Sequence, residues 1–196
     1  MAKIKSGKNI SKQEVIIREA AILFKTKGYS AASMRDLAVA VGVEAPSLYN
    51  HIGSKSELLQ TICFKVGNEF MDYVDIVEKQ SSTNAEKIET IIRFHIKMML
   101  QDFNEIFVAN HEWKHLKEPY FTDFLVLRRN YEKKLIGLIE TGISNKEFKS
   151  INPYIAVITI LSAVRGLEFL HRHKNNFTNQ TLENDMVNHL LNGIKQ

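Results

Sequence analysis

The chain has 196 residues, 44% hydrophobic and 24% charged, the balance of an ordinary soluble globular protein and enough for one large domain or two small ones. One cysteine, Cys63, excludes an internal disulfide, and with only three prolines and nine glycines the composition favours long helices. The net charge of +4 is uneven: residues 1–65 hold ten Lys or Arg against five Asp or Glu, and residues 66–196 hold sixteen against seventeen, which fits a basic module that meets a polyanion and equally fits a solvated basic surface.

In chain order, MAKIKSGKNISKQ is basic with no apolar run behind it, so it is not a signal peptide and a cytoplasmic protein is expected. Lys3, Lys5 and Lys8 make either an arm that follows a polyanion or a simple tail. Val15, Ile16, Ala20, Leu23 and Phe24 recur at steps of three and four, predicting a helix over about 11–27 that Lys27-Gly28 closes. Ser33 caps a second helix, MRDLAVAV, which stops at Gly42. A short third helix fits EAPSLYNHI, with Pro46 near its first turn, where a missing N–H costs little. Gly53 breaks the chain, and Ser54 with Glu57 forms a capping box that starts a fourth helix through about Val77. Further helices are predicted near 84–101, 103–117, 119–143, 153–173 and 179–194, with Asn84, Asn152 and Thr178 as starts and a turn at Gly142 and NKEF. The fold class is therefore all-α, with about nine helices and no expected strand. The most apolar stretch, residues 154–170, is interrupted by Arg165 and Glu168 and falls short of a membrane span. It is read as a buried core helix, and no membrane partner is expected.

Residues 111–115, HEWKH, match the H-E-x-x-H pattern of zinc hydrolases, in which a helix sets two imidazoles on one face beside a general-base glutamate. The context opposes that reading. The apolar stripe of the predicted 103–117 helix is Phe103, Ile106, Ala109, Trp113 and Leu116, and at about 100° per residue His111 and His115 point largely away from it. No downstream third ligand stands out. The stretch is read as the polar flank of a helix that buries Trp113, with no metal, no cofactor and no enzyme activity expected.

The segment MRDLAVAVGVEAPSLYNHI reads as a helix-turn-helix, its first helix packed through Leu37, Ala38 and Val41 and its second free to enter a major groove. Residues 12–62 resemble the DNA-binding domain of the TetR family of bacterial repressors. Phe24, Gly28-Tyr29, Ser33, Leu37-Ala38, Gly42-Val43, Leu48-Tyr49, His51, Ser54-Lys55 and Leu58-Leu59 carry the likeness in order; Ile52 departs from the aromatic often found there. The resemblance implies a DNA-binding unit over 1–54, a ligand-binding and dimerisation bundle over 55–196, and a homodimer on palindromic double-stranded operator DNA. It places Glu44, Ala45, Pro46, Ser47, Tyr49, Asn50 and His51 on the groove-facing helix and Lys55 at a phosphate. Hydroxyls and helix N-termini bond phosphate oxygens, and Asn50 suits adenine. Ser33 is a cap first and a phosphate ligand second. Arg35 is a DNA contact or a solvated charge, and Glu44 either accepts from cytosine or favours its helix N-terminus.

Residues 66–196 show no Gly-rich phosphate loop and no Cys–His set at metal spacing. The resemblance implies that the last two helices pair between protomers. The small residues Ala156, Thr159, Ala163 and Gly166, with Met186 and Leu190 on the final helix, suit that interface. The segment from Trp113 to the 153–173 helix is similar to a branch of the family that senses acyl-CoA thioesters, a small hydrophobic ligand class. Phe103, Phe107, Trp113, Phe121, Phe124 and Tyr131 are then candidates for an apolar tunnel, with Arg165 and Phe169 as thioester readers. For Arg165 the simpler reading is an ion pair with Glu168 or with an acid on another helix.

Overall fold

The computed structural model describes residues 11–49, 52–172 and 177–195. Among these, nine α-helices form and no strand; the sole extended pairing is an isolated antiparallel bridge between Phe148 and Lys195. The head comprises α1 (Lys12–Lys27), α2 (Met34–Val41) and α3 (Ala45–Tyr49). The body comprises α4 (Lys55–Glu78), α5 (Asn84–Gln101), α6 (Phe103–His111), α7 (Tyr120–Ser144), α8 (Pro153–Arg165) and α9 (Asn179–Asn192).

Local chemistry sets most boundaries. Ser11 with Glu14 and Ser33 with Asp36 form reciprocal capping boxes, each satisfying two orphan N–H donors. Ser54 accepts from the Glu57 N–H at 3.1 Å, but the expected return bond from the Glu57 side chain is not made, so α4 begins on half a box. Thr83, not Asn84, caps α5, with Glu86 returning the bond. Asn84 is instead buried, and its amide donates to Glu147, whose second oxygen accepts from the Ala85 N–H. Gly142 allows that corner to close, because a Cβ there would lie 2.4 Å from the Phe148 ring.

Two predicted helices are shorter than expected. The 103–117 helix ends at His111, and Trp113–His115 turns as a 3-10 segment. The helix predicted to reach 173 ends at Arg165 and continues as a 3-10 segment over Gly166–Arg172.

The core is continuous from head to body. Phe24, Leu37, Leu48, Leu58 and Leu59 are fully buried where α1, α2 and α3 meet the start of α4. Farther along, Ile62, Val66, Val74 and Val77 of α4 pack with Ile88, Ile91, Ile92 and Ile96 of α5. Each fully buried Leu or Ile contributes about 1.5–3 kcal/mol relative to exposure. The head joins the body through α1, which packs on α6 and on the start of α4, and α4 runs on along α5, α6 and α7. The 154–170 stretch, read as a buried core helix, is buried on one face only. Ala156, Val157, Ile160, Leu161 and Val164 face the core, whereas Tyr154, Ile155, Ile158 and Phe169 are exposed.

Candidate DNA-binding face and ligand cavity

The α2–α3 turn rests on Gly42, whose φ of 75° is a left-handed conformation that glycine adopts without a Cβ penalty. Its N–H reaches the Ala38 and Val39 carbonyls and closes α2. Leu48 pins α3 to the head, leaving Glu44, Pro46, Ser47 and Tyr49 exposed and Ala45 half-buried. Arg35 stands exposed on α2. Ser33 is committed to its cap, donating to Asp36 at 2.7 Å and accepting from the Asp36 N–H at 3.1 Å. Lys27 first, then Ser33, holds the Asp36 carboxyl down at about 2. Val39, which the sequence reading did not single out, is 81% exposed on α2. Asn50, His51 and the lysines of the N-terminal arm lie outside the described residues.

Lys55 has internal work that its sequence position did not reveal. Its ammonium donates to the carbonyls of Tyr29 at 2.9 Å, Ser30 at 3.3 Å and Ala32 at 2.9 Å. It also sits 4.5 Å above the Tyr29 ring. All three donors are spent on the α1–α2 connection, which they staple to the start of α4.

Inside the body lies a cavity of about 90 Å³. Its wall is mostly apolar, with Val66 and Phe70 from α4, Met99 from α5, Ile106 from α6, Leu127 from α7 and Leu161 from α8. Gly67 lets α4 approach α7, since a Cβ would meet Leu127 at 2.6 Å and Phe124 at 3.2 Å. Against this wall stand six polar side chains: His95, Asn110, Arg128, Tyr131, Glu132 and Arg165. Burial first, then the charge of Arg165, pushes the Arg128 guanidinium below its ordinary range, with Glu132 opposing. Burial, and secondarily Arg165, pulls the His95 imidazole down to about 3, so it stays neutral at physiological pH. Part of the His95 surface remains open, and the cavity is what it opens onto.

Of the eight residues expected to hold a ligand, Phe124, Tyr131 and Arg165 line this cavity and five do not. Phe103 lies under the Lys25 ammonium at 4.3 Å and beside Phe107, which contacts His111. Trp113, expected to be buried, is half-buried; it stacks on Phe121 at 5.6 Å and carries the Arg128 guanidinium at 5.3 Å. Phe169 is 56% exposed on the outer surface. The expected Arg165–Glu168 pair does not form, because Glu168 bonds His111 Nε2 at 2.8 Å. Among the described residues no carboxylate lies within 4 Å of either the Arg128 or the Arg165 guanidinium. Arg128, His95 and Glu132 were missed because their period on α5 and α7 matches that of any polar flank.

The HEWKH geometry is unlike a metal site. The helix stops between the two histidines, so their i,i+4 relation is lost. His111 turns to Glu168, while His115 lies 3.4 Å from Glu112 and stacks on Tyr29 of the head at 5.2 Å. No metal-holding group of three or more His, Cys, Asp or Glu occurs among the described residues.

On α8, Ala156 is buried in its own chain's core rather than available to a partner. Ala163, Gly166, Met186 and Leu190 are half-buried and Thr159 is exposed. The outward stripe is Ile155, Ile158, Thr159 and Ser162, at helical spacing. The stretch Pro153–Leu170 has a mean hydropathy of 1.5, long and apolar enough to cross a membrane by composition, with only 33% of it buried.

Two sequence profiles match the chain: bacterial regulatory proteins of the tetR family over residues 16–62, and the tetracyclin repressor-like C-terminal domain over residues 81–194. The chain belongs to the TetR family. It is a TetR-family transcriptional regulator; the first profile runs from α1 into α4 and the second covers α5 to α9. The HTH-type transcriptional repressor KstR2 of Rhodococcus jostii (strain RHA1) is 27% identical over 147 residues, covering 74% of this chain and 71% of that protein. The solved structure of the ketosteroid transcriptional regulator KstR2 of Mycobacterium tuberculosis superposes with a TM-score of 0.88 at 18% identity, covering 97% of this chain and 98% of the other. AibR in complex with isovaleryl coenzyme A and operator DNA superposes with a TM-score of 0.80 at 19% identity, covering 92% and 98%. Likeness at these identities shows the TetR fold alone.

Proposed function

We propose that this TetR-family regulator is a repressor that binds a palindromic operator as a homodimer and is released by an acyl-CoA thioester or a closely related anionic hydrophobic ligand. The observation that carries the ligand class is the pair Arg128 and Arg165 on a largely apolar cavity, neither within 4 Å of a carboxylate among the described residues. Arg128 is half-buried and its guanidinium is disfavoured by burial and by Arg165, which stands exposed at the cavity's edge, so an anionic or strongly polar head between them relieves the site. The AibR complex with isovaleryl coenzyme A supports the class on the same fold.

Size supports a switching role. A cavity of about 90 Å³ is smaller than the roughly 150 Å³ engineered void that takes up benzene. An acyl-CoA therefore enters only if α4 and α7 part at Gly67, and α4 carries the head. A second route runs through the aromatic contacts, since Arg128 lies over Trp113 and, two residues on, His115 stacks on Tyr29. Differential affinity for the parted state is what shifts the population.

The head reads DNA with Arg35, Ser47 and Tyr49, and with Asn50 and His51 by family likeness. The exposed Ile155, Ile158 and Thr159 stripe, with α9, is the proposed dimer face, because so apolar a helix stays soluble only when covered. The division at 54/55 is proposed from the break between helices that Ser54 closes before α4 begins.

Two guanidinia also suit the carboxylate of a free acid, which is the second reading. Calorimetry with butyryl-, octanoyl- and palmitoyl-CoA and the matching acids separates them. The thioester reading expects the CoA forms to bind and the acids not to. Equal binding of acid and thioester transfers the assignment to a free acid, and no binding of either removes the ligand class.

A further inference from the structure

Beside its two arginines, the cavity wall holds a second polar pair. His95 Nε2 and the Tyr131 hydroxyl lie 2.6 Å apart, on α5 and α7, and both side chains line the cavity. Phe70 stacks on the imidazole at 4.4 Å and tilts against Tyr131 at 6.0 Å, so the pair is fixed among aromatic rings. Both members are neutral: burial and Arg165 keep the imidazole unprotonated, and burial raises the phenol far above its ordinary range.

Proton counting then gives a definite result. If Tyr131 donates to Nε2, the one proton of the neutral ring is on Nδ1, and no described residue bonds that nitrogen. If Nε2–H donates to Tyr131 instead, the hydroxyl proton has no acceptor among the described residues. Either way the pair leaves one donor unused, in a cavity whose wall carries Phe70, Met99, Leu127 and Val164 together with Asn110, Arg128, Glu132 and Arg165. A donor that opens onto the cavity gains from an oxygen placed beside it, and a hydrocarbon offers none.

We propose that His95 and Tyr131 determine the cavity's specificity by donating a hydrogen bond to an uncharged oxygen, a carbonyl or a hydroxyl, on the apolar body of the ligand. The ligand class narrows accordingly to oxygenated apolar compounds with an anionic or thioester head. This rests on the cavity being the ligand site, but not on the head being CoA.

The test uses two sets of probes on the full chain. The first is cyclopentanone against cyclopentane, followed by nitrogen-15 NMR of the histidine side chains and by titration. The second is 3-hydroxybutyryl-CoA against butyryl-CoA by calorimetry. The oxygenated member of each set should bind about three- to tenfold more tightly, the usual net gain of one hydrogen bond. Cyclopentanone should shift the His95 nitrogen resonances, and cyclopentane should not. In the double variant Tyr131→Phe/His95→Phe the preference should fall below about twofold while the hydrocarbon still binds, whereas either single variant leaves one donor and keeps a preference. If only the CoA set fails, the thioester assignment falls and the pair's role stands. Equal binding within the cyclopentane set, its failure to enter the cavity, or a preference that survives the double variant overturns the pair's role.

Discussion

The depressed basicity of His95 makes a quantitative claim about stability. Its pKa is held at about 3 in the folded protein against 6.5 for the free side chain. Below pH 6.5 the unfolded chain therefore takes up a proton that the folded chain refuses. Unfolding is favoured as pH falls, and the stability His95 contributes as a neutral group is fully present above pH 6.5 and lost progressively toward pH 3. The full shift corresponds to about 5 kcal/mol at 1.36 kcal/mol per unit, an upper limit because the ring opens onto the cavity. Between pH 7 and pH 5 the linkage gives about 2 kcal/mol, worth roughly 1 M in urea midpoint. His95→Phe keeps the ring against Phe70 and removes the titration. Urea unfolding of both proteins at pH 7 and pH 5, at one protein concentration, isolates the difference, since the carboxylates cancel. The parent should lose about 2 kcal/mol more than the variant over that interval. Equal losses would mean that the imidazole protonates in the folded state and that the neutral pair does not exist.

Three further outcomes are expected. Tyr49→Ala leaves the fold intact, because the ring is 52% exposed, and weakens operator binding at least tenfold in a mobility-shift titration; unchanged affinity would misplace the reading helix. Lys55→Met removes three bonds to carbonyls and should lower head stability by about 2 kcal/mol, seen as an earlier unfolding step as well as weaker DNA binding. An unchanged melting curve would deny the staple. Ile158→Asp puts a charge on the exposed α8 stripe and should yield monomers by light scattering at micromolar concentration, whereas a dimer of parent size would locate the interface elsewhere.

Much of the fold was legible because its determinants are local. Phe24, Leu37, Leu48 and Leu58 are the buried anchors of four successive short apolar patterns, and Ser33 and Gly42 bracket α2 as serine caps and left-handed glycines do. The break after His111 was not legible, since the HEWKH stretch keeps helical periodicity and its turn arises from tertiary contacts of Trp113 and His115. The same blindness affected the site. Arg165 was visible as a charge in an apolar run, but its supposed partner Glu168 is taken by His111, a contact 57 residues away in sequence. Five of the eight ligand candidates lie off this cavity because aromatic residues recur at helical spacing in any core, whereas the cavity is defined by where α4, α5, α6, α7 and α8 fail to fill space. Ala156 shows the converse: small residues mark close packing, but here it is packing within the chain.

The central claim, that the cavity governs DNA binding through its arginines, is tested most directly by fluorescence anisotropy. The probe is duplex DNA from the promoter region of the protein's own gene, bound by the parent, by Arg165→Met and by Arg128→Met, each titrated with the acyl-CoA that binds most tightly. All three proteins should hold the duplex equally without ligand. The ligand should release the parent, and each variant should need at least tenfold more of it, the loss of one charge-assisted contact. Release of both variants at the parent's ligand concentration, or no release of the parent by any ligand that enters the cavity, would contradict the account.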